Sequence, residues 1–224
     1  MGWNCKPNGG YAISSVEGTE NINLYYTMYQ SLTGVNNVIG QLCNVYWESG
    51  LNPWRWEGDV FNTHNGYGLY QYTPATGYIN LSGYPDKSPN MSTSQVSGGT
   101  PNDAKAQIYV FQDNALGKWI GDCWRPDWDP ATYPDLYAKH TAILNRYASG
   151  PLLSLADFYD INDIEDACFA FMACFERPGT PNFATRLAFA PAIEEALHPG
   201  PQPPGSTILY GGVRDVLRRL IIHA

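Results

Sequence analysis

The feature that most constrains this chain is the stretch from Gly40 to Thr76, GQLCNVYWESGLNPWRWEGDVFNTHNGYGLYQYTPAT, which couples a helix to a Trp-, Gly- and Asn-rich loop and then to a tight Gly-aromatic-Gly turn. Val35, Val38, Ile39, Leu42 and Tyr46 recur at i, i+3, i+4, i+7 and i+11, one face of a helix. At about 100° per residue, Gln41, Asn44 and Glu48 fall on the opposite face. Thr33 or Asn36 is positioned to cap the start, and Ser49-Gly50 followed by Pro53 stops the helix. Glu48 then sits in the last turn, where the negative end of the helix dipole disfavours a carboxylate. Trp47, Trp54 and Trp56 are near enough in sequence to dry the site. Dipole and desolvation together are expected to push the Glu48 acid upward, as general-acid chemistry near neutral pH requires. The alternative is a surface glutamate at a helix end.

The pattern Glu48-Ser49-Gly50, Asn52-Pro53 and Asn65-Gly66-Tyr67-Gly68-Leu69-x-Gln71 resembles the signature of goose-type lysozymes and lytic transglycosylases. With Trp56, Gly58-Asp59 and Tyr72-Thr73-Pro74-Ala75-Thr76 included, it looks more like the phage tail lysozymes. A second block, Phe175-Glu176-Arg177-Pro178-Gly179 followed by Arg186 and Ala190, is similar to a late segment of the same family. The resemblance covers residues 20–195. It implies a mainly α, lysozyme-like, two-lobed domain with a small β or loop lobe and a substrate cleft. It also implies a muramidase that cleaves the β-1,4 bond between N-acetylmuramic acid and N-acetylglucosamine in peptidoglycan, with Glu48 as the acid. Lytic transglycosylase action on the same bond is the nearest alternative, and a non-catalytic glycan-binding or structural tail module is the next.

Glycoside hydrolysis commonly uses two carboxyl groups. The resemblance puts Asp59 first for the second role, with Glu57 and Asp113 as competitors. Tyr67, Gly68, Gln71, Tyr72 and Thr73 are the expected sugar contacts; Gln71 offers both a donor and an acceptor. Gly66 and Gly68 would let the backbone approach the sugar. Thr73 is also read as a helix cap, with Pro74 at the first helical position. For Glu176-Arg177 the expectation is an ion pair that locks a helix end, and for Trp47 a place in the core.

A formal net charge of −8 leaves no basic stripe for phosphates, which argues against nucleic acid as a partner. It does not oppose a largely uncharged glycan. The 7 Trp, 16 Tyr and 8 Phe suit stacking on sugars, although core packing accounts for most of them. Neither the four histidines, His64, His140, His198 and His223, nor the cysteines are spaced like a metal site or a Cys-His peptidase. No metal and no organic cofactor is expected. Cys43 and Cys168 read as small buried hydrophobes; a disulfide among Cys5, Cys123 and Cys174 stays open. The opening MGWNCKPNGG lacks the pattern of a secretory signal peptide, and no run approaches the roughly 18 apolar residues of a membrane span. Access to a cell wall would then come through the virion or at lysis, with other phage tail proteins as candidate partners.

Along the chain, residues 1–18 read as an irregular arm and 19–197 as the catalytic domain. A Pro/Gly linker at 198–205 and an amphipathic segment within 206–224 follow. Helices are expected at 20–32 with Thr19 as cap, from Asp103 to about Trp119, at about 135–148, after an Asn162 cap, and at 182–197 with a break at Pro191. Residues 50–66, 82–101 and 121–135 read as loops, the first of them long enough to be functional.

Overall fold

The helix that ends on Glu48 is the centre of the fold. In the computed structural model, which describes residues 2–87 and 103–198, it is α2, Val35–Ser49. It follows α1, Val16–Tyr29, and precedes α3, Ala75–Asn80, and α4, Asp103–Gln112. Then come α5, Pro134–Tyr147, α6, Leu155–Tyr159, α7, Ile164–Phe171, α8, Phe183–Leu187, and α9, Ala190–Leu197. There is no strand among the described residues; a single antiparallel bridge joins Trp56 to Tyr67. The fold is mainly α, and the described residues form no sheet that would make up the expected small β lobe.

α2 is buried on more than its apolar face. Asn37, Gln41 and Asn44 are sealed from solvent along with Val38, Ile39, Leu42 and Cys43. A central helix can carry amides inside only if each finds partners. Asn37 Nδ2 donates to the Phe158 and Ile161 carbonyls, Gln41 Nε2 to Asn37 Oδ1, and Tyr25 Oη to Gln41 Oε1. Asn44 Nδ2 donates to the Cys168 carbonyl on α7. α7 is the main packing partner of α2, and Gly40 makes the approach possible. A Cβ there would lie 2.6 Å from the Cys168 nitrogen and 2.7 Å from Ala167 Cβ.

An aromatic core fills the space beside this pair. Phe111, Phe171, Phe175 and Tyr70 stack and tilt on one another, with Phe111 and Phe175 centroids 4.7 Å apart. Cys43 and Cys168 are buried free thiols, and Cys123 is joined to Cys174 by a disulfide. That bridge ties the Trp-Asp-Pro loop to the segment carrying Glu176.

Several elements differ from the sequence reading. α1 starts at Val16 with Ser15 as its cap, because the Ser15 hydroxyl accepts the Gly18 N–H; Thr19 lies inside the helix and bonds the Ile13 carbonyl. The arm before it is anchored: Trp3 is buried, and Asn21 Nδ2 donates to the Asn4 carbonyl. Gly34, not Thr33 or Asn36, occupies the cap of α2. α4 ends at Gln112, short of Trp119, as Asn114 and Gly117 take positive φ. Asp163 rather than Asn162 caps α7. α6, with its Ser154–Asp157 capping box, was not anticipated. The expected break near Pro191 falls between α8 and α9, which leaves Pro191 in the first turn of α9, where its missing N–H is harmless. Most of the 82–101 loop, the linker after His198 and the C-terminal amphipathic segment lie outside the described residues.

Candidate functional site

Glu48 is held at the C-terminal end of α2, where Gly50 takes a left-handed conformation and its N–H closes on the Tyr46 carbonyl. Its carboxylate opens onto a cavity of about 350 Å³ lined by Glu48, Arg55, Glu57, Gly58, Gln71, Thr73, Glu176 and Pro178. Three carboxyl groups therefore share one cavity.

Arg186 on α8 organises two of them. Arg186 is 1% exposed, with Nη2 2.6 Å from Glu48 Oε1, and Nη1 donates to Asn44 Oδ1 at 3.1 Å. Its guanidinium lies over the Trp47 ring, 5.7 Å from the centroid. Trp47 is 40% exposed and leans on Phe189, so it is a flank of the Arg186 site rather than core. Trp56 is fully buried between Phe61 and Tyr67. Beside Glu48 stand a cation and a second acid, while of the tryptophans expected to dry it Trp56 is buried in the core and Trp47 flanks Arg186.

Glu176 is that second acid. α7 passes into a π-type turn, Met172–Glu176, and Arg177 then takes a left-handed conformation that ends it. Turns of this kind widen a helix by one residue and recur at functional sites. Glu176 does not pair with Arg177 as expected: the Arg177 guanidinium reaches Asp122 Oδ1 at 2.9 Å and the Trp124 carbonyl instead. Glu176 Oε1 is sealed from water without a hydrogen-bond partner. Burial, and then the neighbouring Glu48 charge, push the Glu176 acid well above the ordinary carboxylate range, with Arg186 opposing in part.

In the same cavity, Glu57 Oε2 accepts the Gly66 N–H at 2.9 Å, which fixes the carboxyl over the loop. Asp59 is not among the lining residues. Its Oδ1 accepts the Gly9 N–H at 2.7 Å and sits 3.6 Å from Arg55 Nε, so it fastens the N-terminal arm to the loop. Asp113 also lies outside the lining, accepting from Tyr84 Oη. Of the carboxylates weighed for the second role, the cavity takes Glu57.

The Gly-aromatic-Gly turn is buttressing more than binding surface. Tyr67 is buried and donates to Asp103 Oδ2 at 2.7 Å; Tyr72 is buried and donates to the Gln107 carbonyl. Gly68 has φ of 81°, and a Cβ on it would meet Gln107 Oε1 at 2.3 Å, so its bareness serves the approach of α4 rather than of a sugar. Gln107 then clamps the turn, accepting from Leu69 N and donating to the Pro53 carbonyl. Gln71 and Thr73 do line the cavity. Gln71 Nε2 is spent on the Arg55 and Gly68 carbonyls. Thr73 Oγ1 donates to the Gln71 carbonyl instead of capping α3, whose cap position is Pro74.

The residues that sequence reasoning underrated are Arg186 and Glu176. Both stood in the second quoted block, and the signal available was an arginine on an otherwise apolar helix turn, which must carry a buried partner. No group of three or more His, Cys, Asp or Glu residues is arranged for a metal ion among the described residues, and no helix there is long and apolar enough to cross a membrane.

Comparison with known proteins gives two findings. The sequence model of the family described as phage tail lysozyme matches residues 26–197. Over 46 residues the chain is 48% identical to morphogenesis protein 1 of Bacillus phage B103, a match covering 20% of this chain and 13% of that relative's length.

Proposed function

We propose the function of this chain from its family: it belongs to the phage tail lysozymes. The reading is a peptidoglycan hydrolase that works as a muramidase on the β-1,4 bond between N-acetylmuramic acid and N-acetylglucosamine. The observation that carries it is the Glu48 carboxyl, held at a helix end, open to a cavity and oriented by a buried arginine. In this reading Glu48 protonates the glycosidic oxygen as the C1–O bond breaks. Glu57, exposed in the same cavity and anchored by the Gly66 N–H, orients or activates water. Gln71 and Thr73 supply polar contacts to the sugar from the cavity wall. Asp59 supports the loop from outside. Both the family and the morphogenesis protein relative support a place in the virion, with the wall of the infected bacterium as substrate and other tail proteins as neighbours.

Clearance of a purified peptidoglycan suspension tests this. Wild-type protein is expected to clear it and Glu48→Gln is not, while both keep the same circular dichroism and melting temperature. Equal clearance by the two proteins would remove Glu48 from the chemistry.

A further inference from the structure

The cluster at Glu48 contains two atoms with no partner. Glu176 Oε1 and Arg186 Nε are both sealed from solvent and unbonded. One is an acceptor when ionised and the other a permanent donor, and they belong to residues that already interact electrostatically. Arg186 meanwhile places Nη2 on Glu48. Two carboxyls thus face one guanidinium in a largely dry setting.

The other charged and titratable groups around Glu176 do not supply a second cation. Tyr25 and Tyr72 face it from the core, and both hydroxyls are held neutral by burial. Arg55 and Glu57 also line the cavity, and Arg55 Nε lies 3.6 Å from Asp59 Oδ1. Arg177, next in the chain, is directed to Asp122. With both acids ionised the Glu48–Glu176–Arg186 cluster carries a net negative charge; with one proton it is neutral. Like charges beside a single cation resist joint ionisation, which favours a proton on the buried Glu176.

We infer that Glu176 is a positioning residue for the proposed reaction: Glu48 and Glu176 share one proton over Arg186, and Glu176 keeps that proton in the site until Glu48 delivers it. This rests on the reading of Glu48 as general acid. In the resting arrangement the proton is on Glu176 and Arg186 pairs with Glu48. In the reactive arrangement the proton is on Glu48, and Glu176 is the carboxylate, its Oε1 answered by Arg186 Nε–H. Glu48 gives the proton to the glycosidic oxygen, the C1–O bond breaks, and its electron pair stays on that oxygen. Water supplies a hydroxyl to C1, the proton it releases passes by way of Glu57 to bulk water, and the carboxyl pair takes one proton back from bulk water, which restores the starting count.

Glu176→Gln tests the inference, because glutamine keeps the shape of a protonated glutamate and cannot titrate. The alkaline limb of the pH profile of kcat on purified glycan strands is expected to move toward lower pH. Activity at pH 7 should fall about tenfold for each pH unit of that movement, with KM held and the melting temperature at pH 7 no lower than that of the wild type. A merely structural role would lower the melting temperature and leave the limb in place, and that result overturns the inference. A readout independent of activity is the infrared carbonyl stretch of a protonated carboxyl. It should be present in the wild type at pH 7 and absent in Glu176→Gln; its absence from the wild type overturns the shared proton. Wild-type protein inactive on every wall, yet showing that band, would refute the muramidase reading and leave the shared proton standing.

Discussion

Replacing Arg186 with methionine removes the cation and keeps most of the volume of its stem. Breaking a buried ion pair from one side costs roughly 3–5 kcal/mol, because the remaining charge is left uncompensated. The Glu48 side chain is 21% exposed and regains some water, so about 3 kcal/mol is the appropriate figure. Asn44 Oδ1, buried inside the helix bundle, loses its Arg186 donor and adds about 1 kcal/mol. The sum, about 4 kcal/mol, corresponds to a fall in melting temperature of roughly 8–16 °C for a domain of this size. Calorimetry and urea unfolding at pH 7 measure it. Adding Glu48→Gln to the same protein removes the stranded charge and should recover about half of the loss, roughly 2 kcal/mol. A loss under about 1 kcal/mol, the value of an exposed surface pair, would refute the reasoning, and so would a double variant no more stable than Arg186→Met alone.

Other consequences follow from the same geometry. Glu176 is neutral in the folded protein over a pH range where the unfolded chain ionises it, so its folded form binds the extra proton. Stability is then fully present below the ordinary value near 4.5 and declines as pH rises toward the raised folded value. Urea titrations at pH 5, 6 and 7 should show Glu176→Gln gaining on the wild type as pH rises, and parallel stabilities would contradict this. Glu57→Gln should reduce clearance of peptidoglycan about 10²-fold or more, whereas Asp59→Asn should leave the rate within about twofold. The reverse order, read from initial rates, would return the second role to Asp59. The Cys123–Cys174 bridge closes a sequence separation of 51, worth about 4 kcal/mol by loop-closure entropy, so unfolding in the presence of reductant should shift by that amount. Gly40→Ala should cost about 1–3 kcal/mol by forcing α2 away from α7, and an unchanged urea midpoint would show that the contact gives way freely.

The helix to Glu48 was legible because its signals are local: an apolar period, then Ser-Gly and Pro. The same is true of α5, which spans Pro134–Tyr147 where a helix at about 135–148 was expected. What the sequence could not reveal depends on neighbours far away in the chain. Gln41 and Asn44 look like a solvated face until α7 and Arg186 are packed over them. Tyr67 and Tyr72 look like sugar contacts because an aromatic beside glycine suits a binding loop, but Asp103 and Gln107 from α4 draw both hydroxyls inward. Asp59 and Glu57 are nearly adjacent. Only the positive φ at Gly58 and Asp59, together with the Gly9 contact, separates the one in the cavity from the one outside it. The cap of α1 was misplaced because Thr19 and Ser15 carry equivalent hydroxyls, and the difference is made by which N–H each can reach.

The measurement that tests the account most directly is digestion of purified peptidoglycan in oxygen-18 water by wild-type protein and by Glu48→Gln, with mass spectrometry of the released fragments. The account predicts reducing N-acetylmuramic acid ends that carry one oxygen from the water, produced by the wild type and lost in the variant. Anhydro ends would assign a transglycosylase, and new free amines a peptidase. Fragments absent from wild-type digests of several wall types would contradict the enzyme reading and leave a glycan-binding module.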